Sequence, residues 1–473
     1  MRYRVTERLN MDQTQPAIGL AVDYSSSIPT LLILGAGPKA IAIAAKRAVL
    51  KKLGYAVPRL VIVDNKGIVS NWSGRAGFTD GRQLLGTRPE KDIGFPYTSL
   101  CWGNKLMNKA VANQMLLLSW PSYLIHEGKY ADWIDRGRSR PTHKEWAGYL
   151  QWVALKVGID VVHAEVYRIG CSEDAAQWQL ACRAIADGTE LTLQGDGLVM
   201  TGPGTPITIS GQPTQHPRVM DGSSFWLRVD EFARMRGTTR QPLHIGVIGT
   251  GETAAATVIA LVNALDDTSY IEVISRYGVL YSRDEGFGEN RLFSDPDGRL
   301  ARVEGGHEHL LKWTDLTEGD RREFVRRTDR GVFSVHAMDE VNRAENVRSI
   351  VGTARNIETT DDCVFVDMEY DGRMERDQYD YVIVAIGFNA LWFTDLLDEQ
   401  TRARLGAVTN NLEHRTLEFA IEEDLSVRDL RPRLHLPMLA GVAQGPGFPN
   451  LSCLGLLADR VLGPYGVAMP LNK

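Results

Sequence analysis

Length, charge and composition set the first limits on this protein. The chain has 473 residues, and its 53 lysine and arginine residues against 59 aspartate and glutamate residues give a net charge of −6. That balance provides no basic field that would hold a nucleic acid. No apolar run approaches the roughly 18 residues of a membrane span, and the N-terminus lacks the apolar core of a secretory signal. We therefore expect a cytoplasmic protein of about two or three domains, without membrane insertion.

The cysteines argue against two further kinds of site. There are five of them, an odd number, and they lie far apart, which disfavours a disulfide framework. Neither they nor the ten histidines are spaced like metal ligands, so we predict no metal site. The cysteines, all predicted to be buried or inert thiols, are Cys101, Cys171, Cys182, Cys363 and Cys453.

The first half of the chain predicts a strand–helix–strand unit. Residues 1–28 are polar and aperiodic, which predicts a flexible N-terminal arm. The apolar strand LLILGAG then leads to a helix over about residues 39–53 and to a second strand, RLVIVD. Three short strands follow (VVHAEVYRI, WQLACRA and ELTLQ), and the apolar strand DGLVMTGPG closes this half.

The second half repeats this order of elements. The strand HIGVIGTG leads to a helix over about residues 252–265, and then come the strands YIEVISR, VRSIVGTARNI, CVFVDMEY and DYVIVAIGF. The repeat predicts an α/β protein with two doubly wound, Rossmann-like domains, one inserted in the other. The predicted boundaries are 29–205 and 385–473 for the first domain and 206–384 for the inserted domain.

Each half opens on a dinucleotide-binding fingerprint. In the first, Gly35 permits a tight turn and Gly37 lets the backbone approach a pyrophosphate. Pro38 follows in the turn, and Ala40 still permits close packing of helix on strand. The next strand ends at Asp64, placed to bind a ribose hydroxyl pair, so this site favours FAD. A glycine-rich turn with no ligand is the alternative interpretation.

The second fingerprint differs in the residues that follow it. It comprises Gly249, Gly251, Glu252 and Thr253. Its next strand ends in Ser275 and Arg276, where the first copy has an acid. A cation and a hydroxyl suit a 2′-phosphate, so this site favours NADPH, and one cofactor would pass hydride to the other. The alternative is a solvated arginine at a strand end.

A series of longer motifs carries a resemblance to a known family. The motifs are ILGAGPKAIAIAAK, LGTRPEKDIGFPY, SWPSYL, ADWIDRGR, RPTHKEW, YLQWVA, TGPG, GTGETAA, EGFGENRLFSDP, TDRGVFS, LWFT and QGPGFPNLSCLGLLADRVLG. They run in order from about residue 31 to 463. The chain resembles the flavin-dependent N-hydroxylating monooxygenases, and within them the mycobactin-type L-lysine N6-hydroxylases of siderophore synthesis. It departs from the ornithine-acting branch at residues 447–452, where that branch reads His-Gly-Leu-Ser-Asp-Thr.

The resemblance implies a glutathione-reductase-like fold and a defined reaction. NADPH would reduce FAD, dioxygen would add to the reduced flavin, and the side-chain amine of L-lysine would attack the resulting flavin hydroperoxide. Because the cofactor carries this chemistry, the protein has to orient the reactants and exclude water. We accordingly assign no side chain as nucleophile or general base, and none is suggested by the sequence.

The resemblance also implies a substrate site. Lys91 matches a lysine that pairs with the substrate carboxylate, and Asn290 matches an asparagine that reaches the amino acid end of the substrate. Asn450 and Ser452 would mark the N-terminus of a helix facing the flavin. Aromatic side chains that could form dry walls are Trp72, Phe95, Tyr97, Trp102 and Phe287, with Trp72 assigned to the flavin site. A solvated lysine, a turn-forming asparagine and core aromatics are the alternative interpretations.

Other functions remain open at this stage. An ornithine or other amine hydroxylase would present the same reacting group. A monooxygenase for sulfur oxidation or Baeyer–Villiger insertion is disfavoured, because the Phe-x-Gly-x-x-x-His signature of that group does not occur. The alternative outside the enzymes is a non-catalytic sensor that binds flavin. A homo-oligomer is compatible with the sequence, which does not predict the oligomeric state.

Overall fold

The structure is a computed structural model that describes residues 28–74, 77–236, 241–283, 288–295, 311–328 and 331–465. Almost all of the predicted N-terminal arm lies outside these ranges. Among the described helices, none combines the length and apolar character needed to cross a membrane.

The first sheet has seven strands in the order β15-β6-β1-β2-β3-β4-β5. The strands are β1 Thr30–Leu34, β2 Arg59–Asp64, β3 Val161–Cys171, β4 Trp178–Ala184, β5 Glu190–Gly195, β6 Gly197–Met200 and β15 Arg433–His435. The five strands from β15 to β3 pair in parallel, whereas β3, β4 and β5 form an antiparallel meander. The apolar residues of β1 and β6 are buried on both faces, as expected for central parallel strands.

The second sheet has five parallel strands in the order β10-β9-β8-β14-β7. They are β7 Val219–Asp221, β8 His244–Ile248, β9 Tyr270–Ser275, β10 Val347–Val351 and β14 Tyr381–Val384. A separate antiparallel sheet contains β11 Thr353–Thr359, β12 Val364–Tyr370 and β13 Arg373–Tyr379. The two doubly wound sheets agree with the predicted fold class.

One predicted strand is wrong. VRSIVGTARNI was expected to form a single strand, but the chain turns at Gly352 and leaves β10 in the parallel sheet and β11 in the antiparallel one. A Cβ at Gly352 would lie 3.2 Å from Met368, so the segment bends where β12 packs closely against it. The apolar pattern continues through the bend, and for this reason the sequence did not reveal it.

The helices cover the sheets and supply the cavity walls described below. They are α1 Pro38–Lys52, α2 Lys105–Leu116, α3 Trp120–His126, α4 Tyr130–Asp135, α5 His143–Val157, α6 Ser224–Met235, α7 Glu252–Ala264, α8 Glu289–Ser294, α9 Glu318–Thr328, α10 Val335–Arg343, α11 Glu399–Thr409, α12 His414–Phe419, α13 Gly441–Gln444 and α14 Leu454–Leu462. Thr142 caps α5 through a reciprocal capping box with Glu145.

The strand order shows that one fold interrupts the other. Strands β6 and β15 are neighbours in the first sheet, although 232 residues separate the end of β6 at Met200 from the start of β15 at Arg433. All strands of the second sheet lie between them in the chain. The exact domain boundaries given above stay predictions.

A buried ion pair joins α1 to α14. Lys46 is 2 % exposed, and its Nζ lies 2.7 Å from Oδ1 of Asp459. Ser99 donates to Asp459 Oδ2 at 2.6 Å, and the Trp102 indole donates to Oδ1 at 2.7 Å. Because the carboxylate accepts from three donors, burial of this charge is compensated. The network fixes the C-terminal helix against the first fingerprint helix.

The prediction that the cysteines are buried or inert agrees with the structure at three of them. No disulfide links the five cysteines, all of which lie in the described ranges, and Cys182 and Cys453 are buried. Cys101 is exposed, so the prediction depends there on an inert thiol. Desolvation, followed by the charge of Asp459, still raises the pKa of the Cys101 thiol to about 12, so little reactive thiolate forms at neutral pH.

Replacing Asp459 tests the buried network. Asp459→Leu leaves the Lys46 ammonium buried without its carboxylate, which should lower the free energy of unfolding by about 3 to 5 kcal/mol. The double variant Lys46→Met/Asp459→Leu should recover most of that loss, because it removes both charges. Urea unfolding followed by tryptophan fluorescence measures both. A double variant as unstable as Asp459→Leu would mean that packing, and not the stranded charge, dominates.

Candidate active site

The first glycine turn is closed by the neighbouring strand. Gly35 has a φ of +100°, in the left-handed region that favours glycine. A Cβ there would lie 2.5 Å from Thr201 Oγ1, which donates to the backbone oxygen of Leu34 at 2.8 Å. A Cβ at Gly37 would instead have no described heavy atom within 4 Å. The space leaves room for a pyrophosphate beside α1, whose N-terminus has no side-chain cap.

Asp64 organises this turn from the end of β2. Its Oδ2 accepts from the backbone N–H of Ala36 at 2.9 Å, and its Oδ1 accepts from Lys66 and Gly67, each at 2.8 Å. A carboxylate offers about four lone-pair sites, so capacity remains for a ribose hydroxyl. Asp64 also lines the cavity described next. Its ribose contact stays a prediction.

A cavity of about 820 Å³ extends from the first fingerprint to the second nucleotide-binding fold. This volume is typical of small-molecule and cofactor sites. The sequence-predicted residues that line it are Gly37, Pro38, Asp64, Trp72, Glu252, Thr253, Asn450 and Ser452. Gly35 forms the turn behind the wall, and Ala40 is fully buried in the core, consistent with the packing role that its small side chain suggested.

The C-terminal segment reaches the cavity beside Lys39. This side chain is 7 % exposed, lines the cavity, and donates from Nζ to the backbone oxygen of Pro449 at 2.7 Å. The Asn450 side chain accepts from the backbone N–H of Ser452 at 2.8 Å and shapes a turn. Helix α14 begins at Leu454 with Cys453 as its N-cap, just after the range expected for the helix start, Asn450 to Ser452. Asn450 and Ser452 line the cavity.

Trp72 and His143 form part of the wall. Their ring centroids lie 4.8 Å apart at 66°, an edge-on contact. His143 is the first residue of α5, directly after its cap, and its Nδ1 lies 2.9 Å from Thr79 Oγ1. Desolvation lowers the pKa of His143 to about 4, so the ring is neutral at pH 7. The sequence did not identify His143, since RPTHKEW stood there only among the motifs that carry the family resemblance.

The second glycine turn has the same construction. Gly249 has a φ of +131°, and a Cβ there would overlap the backbone oxygen of Ala385, just past β14. Gly251 caps α7 without a side-chain hydrogen bond. The Glu252 carboxylate accepts from the backbone N–H of Ser334 at 2.9 Å. A helix N-terminus free of side-chain caps therefore stands at each fingerprint, as anion binding requires.

Ser275 and Arg276 lie at the carboxyl end of β9 but do not line the large cavity. Ser275 is 5 % exposed, and its hydroxyl has no hydrogen-bond partner among the described residues. Arg276 is exposed, and its guanidinium carbon lies 5.8 Å from the ring centroid of Tyr277. An exposed guanidinium at this position is accessible to a phosphate. Its role in NADPH binding stays a prediction.

Lys91 and Asn290 lie outside the large cavity wall as well. Lys91 is half-buried in a turn in which its N–H donates to the backbone oxygen of Arg88 at 3.0 Å. Asn290 is fully buried in α8. That helix meets the segment after Lys91, since Thr98 donates to Asp295 at 3.3 Å. The two residues thus belong to adjoining segments, and their contact with a substrate stays a prediction.

The predicted aromatic walls have mixed outcomes. Trp72 lines the cavity. Trp102 is 1 % exposed and lies in the core, which is the alternative that the sequence left open. The Tyr97 hydroxyl donates to the buried carboxylate of Asp92 at 2.5 Å, and Phe95 is half-buried. Phe287 lies outside the described residues.

Comparison with known proteins places this geometry in a family. The sequence profile of L-lysine 6-monooxygenase/L-ornithine 5-monooxygenase matches residues 113–390, more than half of the chain. The chain belongs to this family.

Relatives within the family cover nearly the whole chain. An L-lysine N6-monooxygenase, MbtG, from Mycobacterium sp. (strain MCS) is 40 % identical over 445 residues, covering 92 % of this chain and 94 % of the relative. MbtG of Mycobacterium tuberculosis (strain CDC 1551 / Oshkosh) is 39 % identical over 442 residues, covering 92 % and 94 %. The resemblance to the mycobactin-type enzymes is thereby confirmed.

Solved structures agree with the fold. The lysine monooxygenase NbtG from Nocardia farcinica, described for an unprecedented NADPH domain conformation, is 39 % identical with a TM-score of 0.75, covering 92 % of this chain and 98 % of NbtG. The ornithine hydroxylase PvdA from Pseudomonas aeruginosa, in its reduced form, has a TM-score of 0.68 at 19 % identity, covering 93 % and 98 %. The latter similarity supports the fold alone.

The neutral state of His143 generates a pH prediction. Its pKa in the folded protein is below that of an unfolded histidine, so the folded state binds fewer protons. The contribution of neutral His143 to the stability of the folded site is fully present above about pH 6.5 and is lost as the pH falls toward 4. The fraction of FAD released, measured by ultrafiltration at pH values across this window, should rise less steeply with falling pH in His143→Gln than in the wild type. The control is His126→Gln, at an exposed position, which should release FAD like the wild type. An equally steep release of FAD in the wild type and in His143→Gln would contradict the prediction.

Proposed function

We propose that this protein is an FAD- and NADPH-dependent L-lysine N6-monooxygenase that produces N6-hydroxylysine for a hydroxamate siderophore of the mycobactin type. The observation that carries the proposal is that two glycine turns, each followed by a helix N-terminus without a side-chain cap, lie at one cavity. The chain is also about 40 % identical to an L-lysine N6-monooxygenase over 92 % of its length. A cytoplasmic location and the domain boundaries predicted above belong to the proposal as expectations, and the proposal is compatible with a homo-oligomer.

The residues at the first fingerprint fit FAD. The open space at Gly37 accepts a pyrophosphate, and Asp64 retains capacity for a ribose hydroxyl. The turn at Asn450 and Ser452 supplies polar groups to the cavity, with Trp72 as an apolar wall. When bound, FAD supplies the activation of dioxygen, a reaction for which protein side chains have no suitable group. The second fingerprint, with Ser275 and Arg276, suits NADPH.

The protein has to hold lysine with a neutral reacting amine. A lysine side chain has a pKa of about 10.4 in water, and only its unprotonated form is nucleophilic. Desolvation lowers the pKa of an amine, and the buried surroundings of Asn290 and the half-buried Lys91 would provide that environment. In this assignment Lys91 pairs with the substrate carboxylate. Asn290 contacts its amino acid end.

Product analysis tests the proposed function. The FAD-loaded protein is incubated with NADPH and oxygen and with lysine, ornithine or a diamine, and the products are analysed by mass spectrometry. Lysine should gain one oxygen at its side-chain nitrogen. Oxygen gain on ornithine alone would overturn the choice of substrate, and absence of any NADPH oxidation would favour a non-catalytic flavoprotein.

Arg276 tests cofactor choice. Charge-assisted hydrogen bonds from a guanidinium to a 2′-phosphate contribute about 1.5 to 3 kcal/mol. Arg276→Ala should therefore reduce the preference for NADPH over NADH by roughly tenfold or more, without loss of FAD. The ratio of kcat/KM for the two nicotinamides measures the effect. An equal loss with NADPH and NADH would show that Arg276 supports the fold and does not bind the phosphate.

Lys91 tests substrate placement. Its removal leaves the substrate carboxylate poorly paired, which costs about 2 to 5 kcal/mol. Lys91→Ala should retain FAD and oxidise NADPH, but release hydrogen peroxide in place of hydroxylysine, with lysine affinity reduced roughly thirtyfold or more. Peroxide and hydroxylysine are quantified in the same reaction. Ordinary coupling and affinity would identify Lys91 as a solvated loop charge.

A further inference from the structure

Three arginines converge where the two nucleotide-binding folds meet. Arg140 and Arg88 line a small cavity at this boundary together with His336 of α10. Arg283 lines the large cavity nearby, and His336 belongs to the walls of both. The pKa of the Arg140 guanidinium is lowered, first by desolvation and then by the positive charge of Arg88, with a smaller contribution from Arg283. The arginines are thus close enough to repel one another.

Local backbone pairing brings the two arginines of the first fold together. Leu84 forms an antiparallel bridge with Thr142, and Leu85 donates to the backbone oxygen of Pro141 at 2.9 Å. Arg88 follows one strand of this pairing and Arg140 precedes the other. The backbone pairing therefore places Arg88 and Arg140 near each other, and both line the small cavity.

A second pairing brings Arg283 to the same place from the inserted fold. The backbone N–H of Arg283 donates to the backbone oxygen of Phe333 at 2.7 Å, and the backbone N–H of Ser334, the residue after Phe333, donates to the carboxylate of Glu252 at 2.9 Å. Glu252 is the first residue of α7, directly after the second glycine turn. A Cβ at Gly86 would lie 2.8 Å from Glu252 Oε1, so the segment between Leu84 and Arg88 touches this helix end.

The cluster has hydrogen-bonding capacity that the described protein does not use. Arg140 Nη1 and Arg283 Nε are buried and have no hydrogen-bond partner in the described part of the chain. A buried guanidinium N–H without an acceptor destabilises the protein, and a ligand oxygen that accepts its hydrogen bond removes this cost. Glu252 partly offsets the positive charge of Arg140, and Asp339 lies at the small cavity. The small cavity itself is lined by two arginines, Arg88 and Arg140, and one carboxylate, Asp339, which leaves its wall net positive.

We propose that Arg88, Arg140 and Arg283 form a phosphate clamp that binds the pyrophosphate of the nicotinamide dinucleotide from both folds. The inference rests on the proposed use of NADPH. The position decides the ligand group, because the cluster adjoins the N-terminus of α7, where a dinucleotide fingerprint places its pyrophosphate. Arg276 at the end of β9 occupies the place expected for the 2′-phosphate. The arginine cluster would therefore bind the pyrophosphate, which NADPH and NADH share, and Arg276 would bind the 2′-phosphate, which only NADPH carries.

The clamp also has a consequence for the two folds. A dinucleotide held by the second fingerprint would contact arginines of the first fold, so binding would tie the folds together at the face that both share. Planar guanidinium groups suit this task, because each can give two parallel hydrogen bonds to phosphate oxygens.

Calorimetric titration of the FAD-loaded protein with NADP⁺ and with NAD⁺ tests the clamp. Arg140→Gln should weaken binding of both dinucleotides by the same factor, roughly tenfold or more, because both carry the pyrophosphate. Arg136→Gln removes an equal charge from an exposed position in the same segment and should leave both affinities unchanged. The KM for lysine should not change in either variant. Arg88→Gln, at a more exposed position, repeats the test if Arg140→Gln does not fold.

Three results with the variants would overturn the clamp alone, and one with the wild type would overturn it together with the proposed function. Unchanged affinity for both dinucleotides in a folded Arg140→Gln variant would make the cluster a structural feature of the boundary. A raised KM for lysine with normal dinucleotide affinity would assign the cluster to a substrate carboxylate. A loss restricted to NADP⁺ would assign it to the 2′-phosphate. If the wild type bound neither dinucleotide, the proposed function would fail together with the clamp.

Discussion

Both nucleotide-binding folds depend on a backbone turn at which no side chain can be accommodated. Gly35 stands against Thr201 at the end of β6, and Gly249 stands against Ala385 at the end of β14. Each central strand is therefore held next to the strand that closes its half, and each following helix starts at the sheet edge with N–H groups free of side-chain caps. Parallel sheets place their ligands at this edge. The cavity between the folds follows from the two turns.

The parts of the fold that sequence predicted well are those with a single dominant signal. Buried parallel strands are continuous apolar runs, and the glycine turns that follow them are unambiguous in LLILGAG and HIGVIGTG. The boundary between β10 and β11 was missed, because the apolar pattern runs through Gly352 and the bend depends on contact with Met368. The start of α14 lies just after the predicted range, since the side chain of Asn450 stabilises a turn before the helix.

The site could be predicted only where one segment of chain forms it. Although their cofactor contacts stay predictions, the first fingerprint, Asp64 and Asn450 were singled out, because each belongs to a local motif. His143 and Arg140 were not, since their environment comes from pairing between residues 81–85 and 141–144. Nothing in RPTHKEW alone indicates that a histidine there is held neutral by desolvation. The side chains at the boundary of the two folds are set by tertiary contacts, which a motif does not encode.

The position of β15 affects the order in which the chain can assemble during synthesis. This strand pairs with β6, but the ribosome produces all strands of the second sheet between the two. The inserted fold has its strands in one contiguous stretch from Val219 to Val384 and can form as a unit while the chain is still growing. The first sheet exposes the open edge of β6 until Arg433 to His435 emerge. An unpaired, apolar strand edge of this kind is a site for aggregation, so a three-residue strand near the end of the chain covers an edge that forms before the inserted fold is made.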